Sequence, residues 1–217
     1  MLGQSITKNS LILTLFAVVT AAILAVTYSA TAERISAAER AAAQAALLEL
    51  VPRSRHNNDM LSDTLNLSSE MQAALGFHGK QADTPVAYIA RFDGKPVAVI
   101  LPTVAPDGYS GDIKLIVGIN LDGTIAGVRA LSHKETPGLG DKVDLRKSNW
   151  ILNFNGRSLL QPSIEQWAVK KDGGTFDQFT GATITPRAVV KSVKKALLFF
   201  QQQRDVIFPS SSDDDIL

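Results

Sequence analysis

No charged residue interrupts positions 9–32, and within that interval residues 11–30 (LILTLFAVVTAAILAVTYSA) are apolar apart from Thr14, Thr20, Thr27, Tyr28 and Ser29. At about 1.5 Å per residue, a helix over this stretch spans roughly 30 Å, the hydrocarbon thickness of a bilayer. The amino terminus and Lys8 precede it, while Glu33 and Arg34 cancel after it. The positive-inside bias then puts the N-terminus in the cytoplasm and everything from about residue 33 outside. A cleaved signal sequence competes with this reading, because Ala30-Thr31-Ala32 has the small-x-small form of a cleavage site. The apolar run exceeds the core of about 7 to 15 residues found in such signals, which favours an uncleaved anchor. Either way, in a bacterium the soluble part faces the periplasm, and the uncleaved anchor crosses the inner membrane once.

The remainder must then fold as a globular unit on that side. With 45% hydrophobic and 20% charged residues, the composition is that of a packed domain. The 22 basic and 21 acidic side chains are scattered, so there is no concentrated cationic face for a phosphate backbone, and nucleic acid is not an expected partner. Cysteine is absent, which excludes disulfides, thiolate zinc sites, iron–sulfur clusters and thiol nucleophiles. The histidines His56, His78 and His133 are far apart and read as surface or turn residues, with no metal ligands expected. Redox chemistry in such a chain requires an organic cofactor.

Residues 31–51 are rich in alanine and glutamate, lack glycine and proline, and end at Pro52, so they read as a helix leaving the membrane. A short helix is expected within 69–75. Two hairpins follow: 86–92 and 96–101 flank Asp93-Gly94, and 113–119 and 124–131 flank Asp122-Gly123. Ile113, Leu115, Val117 and Ile119 alternate with other residues as in a half-buried strand. An antiparallel sheet of at least four strands results, with a further strand expected near 166–170. A last helix over 186–203 puts Val189, Val193, Leu197 and Phe200 on one stripe. The acidic tail 209–217 reads as disordered. The expected fold class is α+β: one transmembrane helix (1–32), a helical and loop linker (33–85), an antiparallel-sheet domain with flanking helices (86–208), and the tail.

Two glycine-containing turns stand out. Thr185-Pro186 reads as a helix start, with threonine as cap and proline in the first turn. Outward N–H groups and the helix dipole would favour a phosphate there, Gly181 would allow close backbone approach, and Arg187 could add a charge-assisted bond. The second turn is His133-Lys134-Glu135-Thr136-Pro137-Gly138-Leu139-Gly140-Asp141. Each is also compatible with an ordinary turn that binds nothing.

At these residues the sequence resembles the covalent-flavin domain shared by the G subunit of the Rnf electron transport complex and the C subunit of the sodium-pumping NADH:quinone reductase. Asp177-Gln178-Phe179-Thr180-Gly181-Ala182-Thr183 fits the flavinylation pattern D-x-x-[ST]-G-A-T, and Glu135-Thr136-Pro137-Gly138-Leu139-Gly140 is the second hallmark, E-T-P-G-L-G. The short stretch between anchor and sheet is more similar to the Rnf protein. The resemblance implies FMN joined by a phosphoester to the Thr183 hydroxyl, with Thr180, Gly181, Ala182 and Thr185 around it. It also implies close approach at Gly138 and Gly140, contacts from Glu135, Thr136 and Leu139, and recognition of Asp177 by a flavin transferase that uses FAD as donor.

The function so implied is that of a membrane-anchored electron carrier, working with other subunits of a complex that couples electron transfer to ion translocation. No catalytic residues of its own are expected. The alternatives are a component like the C subunit of the quinone reductase, a separate periplasmic flavin reductase, for which no GxGxxG nucleotide turn is present, or a colourless scaffold.

Overall fold

The computed structural model describes residues 2–79 and 84–208; the tail 209–217 lies outside the described residues. The chain divides into a unit of residues 1–45 and a unit of residues 46–217. Helix α1 runs Leu2–Leu50. Its apolar part, Thr7–Ala32, has a mean hydropathy of 2.4 and is long and apolar enough to cross a membrane. The threonines that interrupt this stretch are satisfied within the helix. Thr14, Thr20, Thr27 and Thr31 donate their hydroxyls to the carbonyls of Ser10, Phe16, Ile23 and Thr27, each at 2.8 Å. None of these hydroxyls depends on water.

In the second unit, five strands form one antiparallel meander in the order β1 (Thr64–Asn66), β2 (Val86–Phe92), β3 (Lys95–Ala105), β4 (Ile113–Asn120) and β5 (Ile125–Ser132). The helices α2 (Ser69–Ala74) and α3 (Ile184–Ile207) accompany the sheet. The α+β class read from the sequence is therefore the observed one, and the sheet gains β1, which is too short to carry a period-2 signal. At the first hairpin Asp93 and Gly94 both take positive φ (49° and 77°), as a two-residue turn of this type requires. At the second hairpin only Gly123 does (81°), and the Asp122 carboxylate instead accepts from the Thr124 amide at 2.9 Å.

Strand β4 differs from the half-buried reading because both faces of the sheet are covered. Val99, Leu101, Leu115, Val117 and Ile119 face the main core with α3, while Ala98, Ile100 and Ile116 join Leu47, Leu50, Val51 and Met60 on the other face. The last turn of α1 supplies that cover. Gly118 and Gly127 pair across β4 and β5, and a Cβ on Gly127 would stand 2.8 Å from Leu50 Cδ2. His56, read as a surface or turn residue, is instead buried (4% exposed), with Nδ1 3.1 Å from the Pro52 carbonyl.

The expected strand at 166–170 does not form. Single turns of 3₁₀ helix occupy Ile164–Gln166 and Lys170–Asp172, and Val169 makes one isolated bridge to Phe176. The intervening Asp172-Gly173-Gly174 turn folds back too tightly for a ladder: a Cβ on Gly174 would lie 2.0 Å from the Ala168 carbonyl oxygen. Aromatic packing holds this irregular region. Phe154 stacks on Phe176 (4.7 Å) and Trp167 (6.2 Å) and meets Trp150 edge-on (5.4 Å). Phe154→Ala is expected to lower stability by about 3–5 kcal/mol, because its ring is fully enclosed. Tryptophan fluorescence in a urea titration reads it directly, since Trp150 and Trp167, the chain's two tryptophans, both touch the ring.

Candidate functional site

The same aromatic cluster positions the segment ahead of α3. Trp150 packs edge-on against Phe179 (5.0 Å) and donates its indole N–H to the Asp177 carbonyl at 2.7 Å. From this anchor the chain makes a tight turn, closed by the Ala182 amide donating to the Phe179 carbonyl at 3.1 Å. Gly181 takes φ +81° inside it, a conformation open to glycine at little cost. The turn delivers Thr183 to the head of α3.

Here the observed start differs from the one expected at Thr185-Pro186. Thr183 is the N-cap residue, with helical backbone angles (φ −84°, ψ −27°) and no side-chain capping bond. Pro186 lies in the first turn, where a missing N–H is tolerated because those amides have no acceptor in the helix. Thr185 is fully buried and its hydroxyl is committed to Glu135, so it cannot cap. Thr183 is thus half-buried, at the positive end of a 24-residue helix with no acidic residue in its first turn, and its hydroxyl is not engaged in capping.

Glu135 is the other fixed point. Its carboxylate, 5% exposed, accepts from the Thr185 hydroxyl and from the Ser110 amide (3.0 Å), while its own amide donates to His133 Nδ1 at 3.2 Å. This joins the two turns across 50 residues of sequence. The fit is tight at Gly140, where a Cβ would stand 2.6 Å from Glu135 Oε2 and 2.8 Å from Thr185 Oγ1.

Between the turns lies a cleft of about 320 Å³, lined by Tyr109, Glu135, Thr136, Leu139, Gly140, Gly181, Ala182, Thr183, Ile184 and Thr185. Its size falls within the range of about 300–1,000 Å³ common to small-molecule and cofactor clefts. The fold therefore brings together eight of the residues singled out in the sequence. Three do not line the cleft. Gly138, Asp177 and Thr180 are exposed on their turns, Asp177 pairing with Lys170 at 2.6 Å and Thr180 immediately preceding Gly181. Arg187, expected to help hold a phosphate, is instead engaged by Asp172 through two bonds of 2.6 and 2.8 Å. That guanidinium holds the Asp172 carboxyl below the usual carboxylate range.

Two lining residues carry no signal in the motifs. Tyr109 (68% exposed) comes from the β3–β4 turn and Ile184 (44% exposed) follows Thr183; with Leu139 they form an apolar rim. A lone aromatic inside Asp107-Gly108-Tyr109-Ser110-Gly111-Asp112 is the sequence sign that could have marked the first. The cleft offers a hydroxyl with no capping duty beside the amides of a helix start, an apolar rim, and a floor at Gly140 where a side chain cannot stand.

The family model for an FMN-binding domain matches residues 108–198, and that for the RnfG N-terminal region matches residues 1–50. Among curated relatives, the G subunit of the ion-translocating oxidoreductase complex from Pseudoalteromonas atlantica is 50% identical over 210 residues, covering 97% of this chain and 95% of the relative. The proteins of the same name from Vibrio atlanticus (47%, covering 94% of each chain) and Pseudomonas aeruginosa (48%, covering 93% and 92%) are similar over nearly the same extent.

Proposed function

From the premise that this chain belongs to the family of G subunits of the ion-translocating oxidoreductase complex, we propose that it carries FMN covalently on Thr183 and passes electrons between other subunits of that complex. Family membership and the FMN-binding domain make it a membrane electron-transfer subunit of an ion-translocating oxidoreductase. The finer reading rests on one observation: Thr183 lines the cleft at the head of α3, and its hydroxyl has no capping duty.

Bound FMN supplies electron-transfer chemistry, and the protein supplies attachment, orientation and field. Thr183 would hold the phosphate as an ester, with the amides of Ile184 and Thr185 and the dipole of α3 offsetting the remaining negative charge. Thr136, Leu139, Gly140, Gly181 and Ala182 would bound the rest of the nucleotide, and Glu135 and Thr185 would lock the two turns together beneath it. Attachment by a flavin transferase using FAD would make one phosphorus–oxygen bond to the Thr183 oxygen, break the pyrophosphate, and release AMP and the hydroxyl proton. Asp177, exposed outside the cleft, would serve recognition by such a transferase.

Peptide mass spectrometry of the natively expressed protein tests this reading. The Thr183 peptide should gain one FMN less one water, and an unmodified peptide from a fully assembled complex would refute it.

The flavin domain is assigned to the periplasm, the side opposite Lys8 and the N-terminus. A fusion after Phe208 should show alkaline phosphatase activity and no green fluorescence. Fluorescence without phosphatase activity would invert the topology.

A further inference from the structure

Beside the flavin cleft, and sharing Glu135 with it, is a second pocket of about 370 Å³ that the electron-carrier reading leaves without a role. Leu131, His133 and Pro137 line it together with Asp141, Asp144 and Arg146.

Three buried carboxylates border this pocket, and two are satisfied within the chain. Glu135 accepts from Thr185 and Ser110. Asp144 is gripped by the Arg146 guanidinium through contacts of 2.5 to 3.1 Å. Asp141 is different. It is 8% exposed, and its Oδ1 is the one buried side-chain oxygen or nitrogen among the described residues without a hydrogen-bond partner. The chain's own cations here do not serve it: Arg146 and Lys147 also line the pocket, but Arg146 is committed to Asp144, and among the described residues neither Lys142 nor Lys147 forms an ion pair with Asp141.

Buried polar groups are almost always hydrogen-bonded, and an unmatched carboxylate oxygen is among the least favourable to leave alone. The surroundings indicate which partner suits it. The described residues offer no group of three ligands for a metal ion. The wall includes the apolar Leu131, 53% exposed, and the buried carboxylate lies within reach of the same space. An aliphatic stem ending in a cation matches that pairing of chemistry, which describes an arginine or lysine side chain.

We propose that this pocket receives a basic side chain of a neighbouring subunit, with Asp141 as its buried counter-charge. This rests on the chain being a subunit of a complex and not on where the flavin is attached. The partner then docks against the same turn that walls the flavin cleft, since Glu135 borders both pockets. Close approach of the neighbouring subunit to the flavin would follow from the docking itself.

Asp141→Asn keeps the shape and removes the charge, and its two expected effects have opposite sign. In the full-length chain purified alone, the variant should raise the Tm, because an unpaired buried charge is gone. In the complex, isolated through a tag on another subunit at matched salt, retention of the variant should fall at least about 30-fold, as when one member of a buried charge pair is removed. The Thr183 peptide, measured in the same samples, should keep its modification. Asp141→Ala should lose retention equally. A lone-chain Tm that does not rise for Asp141→Asn, or unchanged retention, overturns the proposal. So does a wild-type Tm raised by sodium, magnesium or calcium chloride but insensitive to them in the variant, which would make the pocket a metal site. Absence of the added mass on the wild-type Thr183 peptide would overturn the flavin attachment alone.

Discussion

Thr183→Ala is expected to yield a folded, membrane-associated protein with no covalent flavin: no added mass on the peptide, no fluorescent band after denaturing electrophoresis, no yellow colour. Replacing a threonine at a helix N-cap ordinarily costs about 0.5–2 kcal/mol, because a capping hydrogen bond is lost. Here there is no such bond to lose, so stability should change by no more than about 0.5 kcal/mol, and loss of flavin cannot be ascribed to unfolding. Thr183→Ser keeps the hydroxyl and should keep the flavin. The two nearby threonines make the test sharp. The Thr185 hydroxyl is fully buried and bonded to Glu135, and Thr180 is exposed to solvent outside the cleft lining. Neither is placed to substitute, so retention of the mass at either position in Thr183→Ala would falsify the assignment.

Gly140→Ala is expected to be the most disruptive single-methyl change in the site. Its Cβ would enter within 2.6 Å of Glu135 Oε2 and 2.8 Å of Thr185 Oγ1, two atoms that are buried and bonded to each other. Overpacking costs about 1–3 kcal/mol, and parting a hydrogen bond to a charged group about 1.5–3. A combined loss of about 3 kcal/mol is expected from these ranges, read as a lower urea midpoint, together with reduced FMN on Thr183. Gly138→Ala supplies the contrast. Gly138 has φ +77° with open space around it, so an alanine there meets only the left-handed backbone penalty of about 1–2 kcal/mol. Equal effects of the two variants would contradict the close packing of Gly140 against the Glu135–Thr185 bond.

That contrast shows what kind of information each level carries. The membrane helix, the two hairpins and the last helix are legible along the chain because their causes are local. An uncharged apolar run satisfies its own backbone as a helix, aspartate-glycine supplies turn geometry, and a stripe at helical spacing marks the buried face of α3. The motifs around Thr183 and Glu135 are contiguous runs and could be read for the same reason. What the sequence alone misplaced depends on contacts between distant residues. Thr185 fits the pattern of a cap, yet Glu135, 50 positions earlier, takes its hydroxyl and leaves the N-cap position to Thr183. Arg187 fits a phosphate contact, but Asp172 folds back to engage it. The alternation in β4 implied one wet face, and the end of α1 covers that face. Tyr109 reaches the cleft, and Asp141 is left buried and unpaired, only because the strands and 3₁₀ turns pack as they do. Local propensity acts over a few residues, whereas burial and hydrogen-bond competition are settled only when segments far apart in sequence meet. The tertiary structure therefore decides that Thr183 takes the N-cap position without a side-chain capping bond, while the Thr185 hydroxyl is committed to Glu135.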